Sequence, residues 1–287
     1  MDLLLTNQNL NLFPSSASVA CQGVRGANSQ TACEKLFEKP DIKFFPSFEA
    51  VFSAVEKGVC SYGIIPIENS TAGSVNLVYD LMINHKFYIV RSVRIKIEHN
   101  LLANKGAKLE NIKEIYSHEQ AINQCSEFFN KQKNIRAIPC ENTAVAARMV
   151  KESKRTDIAA LASKSCEEYY GLNCLVSEVQ NNNNNYTRFI CISKNNEIYA
   201  ESDRTSLLIT LPHEPGSLYR FMSRLNDRNV NILKLESRPI PSREFEYNFY
   251  FDIETKVDKS QFVTLLNELK KETYDFHYFG SYREVMA

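Results

Sequence analysis

Glu68-Asn69-Ser70-Thr71 places a carboxylate, an amide and two hydroxyls in one polar stretch between apolar runs at 59–65 and 75–82. The pattern predicts a strand, a short turn and a helix across Pro66–Val75. Backbone N–H groups at a helix start lack partners and attract anions, and an acid beside them can orient or protonate a bound group. Equally, Glu68 can do no more than complement the helix dipole, worth ~0.3–1 kcal/mol. The pattern P-x-E-N-[ST] recurs at Pro139-Cys140-Glu141-Asn142-Thr143 and nowhere else. Two such turns predict two α/β lobes with Glu68 and Glu141 across a cleft, one acid neutral and one ionised.

Other side chains could converge there. Ser117 and Gln120 form an S-x-x-Q capping box. Gln124 lies two helical turns beyond Ser117, so it is either a ligand-facing amide or a surface glutamine. Thr187 and Phe189 share one face of a strand and Arg188 points away. Arg188 then clamps a carboxylate only if the strand edge is irregular, and otherwise serves as an internal ion-pair partner. The five asparagines at 181–185 read as a flexible loop over the cleft. His118 reads as structural, because no Ser or Cys nucleophile with an acid partner assembles around it. Gly23 and Gly26 lack both the G-x-G-x-x-G and the P-loop spacing, which leaves a nucleotide site unsupported. Near the C-terminus, Glu214-Pro215-Gly216-Ser217-Leu218 opens a helix and Glu236-Ser237-Arg238-Pro239 ends a strand. These are either ordinary cap and turn chemistry or a small pocket, with N–H groups for a carboxylate and Glu236 for an amine.

The elements that must position these groups alternate, strand then helix, from 18 to 192, which predicts α/β architecture. A polar stretch at 193–204 reads as a linker. Residues 206–279 follow the order βαββαβ, the ferredoxin-like plan. The first 16 residues have no basic side chain and no long apolar core, and read as a frayed tail rather than a targeting segment. The chain has 287 residues, 44% of them hydrophobic, which suits two domains with real cores. With 34 basic and 34 acidic residues, nothing points to nucleic acid or an anionic membrane. Eight cysteines without a C-x-x-C pair read as reduced thiols of a cytoplasmic protein, with no zinc site.

Taken together, Tyr62–Val75, Ser117–Ala121, Asn142–Ala146 and Thr187–Phe189 resemble prephenate dehydratase. The Gly216-Ser217-Leu218 and Glu236-Ser237-Arg238-Pro239 motifs resemble the ACT domain attached to that enzyme. The resemblance spans about 17–281. It implies a two-lobed, periplasmic-binding-protein-like catalytic domain over 17–193 and a ferredoxin-like ACT regulatory domain over 204–281. The implied reaction converts prephenate to phenylpyruvate with loss of water and carbon dioxide, without cofactor or metal, in phenylalanine biosynthesis. Thr187 and Glu68 are the implied catalytic residues. Asn69, Ser70, Ser117, Gln124, Glu141, Arg188 and Phe189 are the implied substrate contacts. L-Phenylalanine is implied as allosteric inhibitor at Gly216, Ser217, Leu218, Glu236, Ser237 and Arg238 of a homo-oligomer, dimer or tetramer. Two departures stand out. The usual S-H-P-Q is Ser117-His118-Glu119-Gln120, and G-T-F-S is Gly26-Ala27-Asn28-Ser29. The rivals are an arogenate dehydratase and a non-catalytic amino-acid sensor.

Overall fold

The computed structural model describes residues 12–132, 134–199, 201–240, 243–244, 246–255 and 259–287. Residues 1–11 of the expected N-terminal tail lie outside the described residues, and Ser16 already begins the first strand.

The chain opens with β1 (Ser16–Gln22), α1 (Asn28–Leu36), β2 (Lys39–Phe45), α2 (Phe48–Glu56) and β3 (Tyr62–Asn69). β1 pairs in parallel with both β2 and β3. Parallel strands are linked by crossover helices that cover both faces, so Val19, Ala20, Cys21, Ile64 and Ile65 are all fully buried. Ser47 starts α2 by accepting from the Ala50 N–H at 3.2 Å. β3 then departs from the expected strand–turn–helix. It continues through Glu68 to Asn69 and folds back onto β4 (Gly73–Ser74), with Glu68 opposite Ser74 and Gly73 at φ 81°. Only then does α3 (Asn76–His85) begin. Glu68 therefore stands on a hairpin strand, not at a helix start.

β5 (Tyr88–Lys96), β6 (Asn100–Ala103), β7 (Glu114–Ser117), α4 (Glu119–Gln124), α5 (Ser126–Lys131) and β8 (Arg136–Pro139) follow. α6 (Thr143–Ser153), β9 (Ile158–Ala162), α7 (Lys164–Tyr170), β10 (Asn173–Val176) and β11 (Tyr186–Ser193) complete this part. A five-stranded sheet has the order β10-β6-β9-β7-β8. α6 buries Ala144, Ala146, Ala147 and Val150 against Leu102, Ile158 and Ala160 of that sheet. Small side chains on one stripe let helix and sheet approach closely. Helix geometry is interrupted at Cys125, whose φ of −114° and ψ of 21° end α4 and start α5.

The C-terminal part runs β12 (Arg204–Thr210), α8 (Ser217–Asp227), β13 (Ile232–Pro239), β14 (Tyr247–Glu254), α9 (Lys259–Lys271), β15 (Asp275–Tyr282) and β16 (Glu284–Met286). Its four-stranded antiparallel sheet has the order β13-β14-β12-β15, the βαββαβ arrangement read from the sequence. Leu207, Ile209, Phe251 and Ile253 alternate onto one face, where Phe221 and Leu225 of α8 and Leu266 and Leu269 of α9 cover them. The remaining sheet has the order β16-β5-β11-β3-β1-β2, with β4 beside β3.

By compactness the chain divides into two units. One comprises Ser15–Tyr79 and Val93–Phe189; the other comprises Asp80–Ser92, Ile190–Val285 and an N-terminal segment ending at Pro14. In the second unit, a Cβ on Gly280 would collide with the Ile89 carbonyl oxygen, so the strand packing there admits glycine alone. Among the described residues, no helix is long and apolar enough to cross a membrane.

Candidate active site

The unit built from Ser15–Tyr79 and Val93–Phe189 contains a cavity of about 320 Å³. Strand ends surround it. Gln22 follows from β1, Asn69 from β3 and His118 from β7, while Thr187 and Phe189 come from β11. Thr187 and Phe189 enter from the amino end of β11. Gln22, Asn69 and His118 stand at or just past the carboxyl ends of their strands, where ligands of open α/β sheets bind because the helix N-termini that follow present free N–H groups. Here α1 and α6 do so at Ala27–Ser29 and Asn142–Thr143. Asn142 caps α6 by accepting from the Val145 N–H at 2.8 Å. The N–H groups of Asn28, Ser29, Thr143 and Ala144 make no hydrogen bond to any described residue. No lysine, arginine or carboxylate lines the cavity, so these dipole ends are its main electropositive features.

One wall is a hydrogen-bonded row of side chains. The Asn69 oxygen accepts from the Thr71 and Ala72 N–H groups at 3.0 and 2.8 Å. That fixes the amide, and its Nδ2 donates to Thr187 Oγ1 at 2.9 Å, Asn185 Oδ1 at 2.8 Å and the Tyr186 carbonyl at 3.2 Å. Asn185 in turn donates to Gln124 Oε1 at 3.2 Å, and His99 Nε2 lies 2.9 Å from the same oxygen. Burial pushes the His99 imidazole below its ordinary pKa, with the Gln124 hydrogen bond opposing. The Thr187 hydroxyl accepts from Asn69 and donates to no described residue, so its one proton is available on the cavity wall. A neighbouring cavity of about 580 Å³ shares His118, Gln120 and Gln124.

Of the residues singled out in the sequence, Thr187, Asn69, Gln124 and Phe189 meet at this cavity. Arg188 does not. It is 4% exposed and lies 2.8 Å from Glu68 Oε1, the internal ion pair left open by its alternation with Thr187 and Phe189. Glu68 is thereby held by Arg188, on a strand, and neither residue is on the cavity wall. Ser70 ties the hairpin to the asparagine segment, accepting from the Tyr186 N–H at 2.9 Å and donating to the Asn184 carbonyl at 3.2 Å. Ser117 is fully buried and donates to the Leu161 carbonyl at 2.8 Å. It caps nothing, because the α4 cap is His118, whose Nδ1 accepts from the Gln120 N–H at 3.2 Å. Glu141 is exposed and off the cavity wall. The two P-x-E-N-[ST] segments differ in form, one a β-hairpin and one a helix cap, so they are no structural repeat.

The asparagine segment is hydrogen-bonded to its surroundings, although residues 181–184 are exposed. Asn181 accepts from the Glu127 N–H at 3.0 Å and donates to Ser126 Oγ at 2.8 Å, Asn183 accepts from Gln180 at 2.9 Å, and Asn185 is 3% exposed. Asn185 and His99 are the site residues the motifs missed. Asn185 carried a signal, since it precedes Thr187 and Phe189 at the same two-residue period. His99 had none beyond following Ile97 at that spacing.

In the other unit, Gly216 caps α8 at φ 83°. Ser217 is 7% exposed and accepts from Arg220 Nη2 at 3.1 Å, while Leu218 packs onto the helix-covered core. On edge strand β13, Glu236 lies 3.2 Å from Lys234 Nζ and Arg238 lies 3.2 Å from Asp80, while Ser237 is exposed. All eight cysteines are free, and burial pushes the Cys125 thiol up to about 12. Among the described residues, no group of three or more His, Cys, Asp or Glu could hold a metal.

The fold and the polar cavity at its strand ends are those of an α/β protein with a small-molecule site. The prephenate dehydratase family model matches residues 19–197, and the chain belongs to that family of carbon–oxygen lyases. It is 33% identical to arogenate dehydratase 2 of Petunia hybrida, over 97% of this chain and 75% of that protein. It is 32% identical to the bifunctional chorismate mutase/prephenate dehydratase of Escherichia coli, over 97% and 74%. Solved structures that share the fold over most of this chain include two at or above 25% identity. One is GqqA, described as a quorum quenching acylase, with TM-score 0.84, 27% identity and 93% and 98% coverage. The other is a prephenate dehydratase from Arthrobacter aurescens in complex with L-Phe, with TM-score 0.82, 25% identity and 92% and 89% coverage.

Proposed function

We propose that the chain is a prephenate dehydratase that converts prephenate to phenylpyruvate. The observation that carries this is the Thr187 hydroxyl on the cavity wall, whose oxygen accepts from Asn69 and whose proton is given to no described residue. Loss of the ring carboxylate as carbon dioxide sends an electron pair through the ring and expels the hydroxyl. Hydroxide is a poor leaving group, so a proton placed by Thr187 lets it depart as water, a contribution of ~10²–10⁴ in rate. Solvent returns the proton, and aromatisation drives the step. The substrate carries two carboxylates. The free N–H groups at the starts of α1 and α6 suit them, in place of the arginine clamp that Arg188 was expected to form. Phe189 offers an apolar wall to the ring.

Arogenate, the aminated analogue, is the second reading, favoured by the similarity to the Petunia protein. Side-by-side turnover decides: phenylpyruvate from prephenate supports the proposal, phenylalanine from arogenate alone supports the second, and neither product refutes both.

The C-terminal βαββαβ region, 204–281, is the proposed ACT regulatory domain. It would take L-phenylalanine as feedback inhibitor through the Gly216–Leu218 turn and Glu236–Arg238, in line with the L-Phe complex of the Arthrobacter protein. A homo-oligomer is proposed through its edge, where Tyr219, Met222, Leu233 and Leu235 are between 36% and 75% exposed. The free thiols fit a reducing, cytoplasmic compartment.

A further inference from the structure

We propose that Asn185 and His99 are positioning residues that leave Gln124 with only its NH₂ to offer the cavity. Side-chain amides can usually face either way, but here each orientation dictates the next. Two backbone N–H groups pin the Asn69 oxygen, so Nδ2 must face Thr187 and Asn185. The Asn185 oxygen is then the acceptor, and its Nδ2 must face Gln124 Oε1. That oxygen already receives one donor, so His99 Nε2 beside it at 2.9 Å must carry a proton. The His99 backbone is itself held, its N–H donating to Gln180 Oε1 at 2.9 Å and its carbonyl accepting from the Val179 N–H at 2.9 Å.

With its oxygen doubly occupied, Gln124 has only its NH₂ left for the cavity, beside the Thr187 O–H. A substrate bearing two carboxylates is rich in acceptors, so a Gln124 that can present only its NH₂ discriminates in its favour. This rests on the dehydratase reading for its kinetic readout, not for its spectroscopic one.

The test is Asn185→Asp with a pH profile. Its ionised form still accepts from Asn69 but sets an oxygen against Gln124 Oε1, which turns the glutamine amide and points Oε1 into the cavity. Near pH 8, kcat/KM should fall about 100-fold. Protonation of the new acid restores a donor to Gln124, so on acidification to about pH 5 the variant should recover about tenfold relative to wild type. The titratable groups that share these walls, His99, His118 and Glu119, are present in both proteins, so the ratio isolates position 185. In the wild-type chain, ¹⁵N NMR of the five histidines should show His99 protonated on Nε2. A variant profile parallel to wild type, or His99 protonated on Nδ1 alone, overturns the proposal. Should the variant not fold, or should wild type turn over neither substrate, the tautomer decides by itself; the latter outcome refutes the dehydratase reading separately.

Discussion

Replacing Thr187 with valine removes one hydroxyl and keeps the shape of the side chain. The hydroxyl's structural duty is small. Asn69 Nδ2 loses one acceptor at 2.9 Å but keeps Asn185 Oδ1 at 2.8 Å and the Tyr186 carbonyl at 3.2 Å, so no buried donor is orphaned. The expected stability cost is about 1 kcal/mol or less, or a Tm shift of about 2–4 °C for a protein of this size. The chemical duty is large. Without a positioned proton the C–O bond must break toward hydroxide, and kcat should fall ~10²–10⁴-fold, equivalent to about 2.7–5.4 kcal/mol of transition-state stabilisation. Thr187→Ser keeps the oxygen and should retain most activity. The assay is phenylpyruvate formation from prephenate for the three proteins, with thermal melts alongside. If Thr187→Val retains more than about a tenth of wild-type kcat while Tm is unchanged, Thr187 is not the proton donor.

Three further outcomes are expected. Glu68→Gln strips the charge facing Arg188, which is 4% exposed, and should cost about 1–3 kcal/mol of stability while kcat stays within about tenfold; a large kcat loss at unchanged Tm would return Glu68 to the chemistry. His99 has a folded pKa below its ordinary value, so as pH falls through the ordinary histidine range the unfolded chain takes up a proton that the folded chain refuses. Stability should therefore drop with acidification between the ordinary value and the lowered one, and the Tm-versus-pH slope there should be shallower in His99→Gln; equal slopes would contradict it. L-Phenylalanine should raise the Tm of the full chain, by about 2.7 kcal/mol of stabilisation at a hundredfold excess over Kd, and Glu236→Ala should abolish the shift; an undiminished shift would place the ligand elsewhere.

Local pattern determined much of this protein. Alternation of apolar runs with capped helical segments is a short-range property, and it foretold the α/β part, the βαββαβ order and the common face of Thr187 and Phe189. The same period also contained Asn185, which the run of five asparagines hid among its neighbours. The tertiary structure alone decided what each polar group is used for. Glu68 and Arg188 are both good site residues by type, yet they spend their charges on each other, because a nearly buried guanidinium must be paired. Ser117 heads a sequence that fits a capping box, but its strand carries it under Leu161, and His118 caps instead. Pro66–Val75 and Pro139–Thr143 share letters and differ in fold, since pairing between Glu68 and Ser74 outcompetes a helix start. Thr71 and Ala72 fix the Asn69 amide locally, but the orientations of Asn185 and Gln124 emerge only when segments distant in sequence meet, Asn69 with Asn185 and Asn185 with Gln124. Hydrogen-bond direction is a property of that meeting, not of any residue by itself.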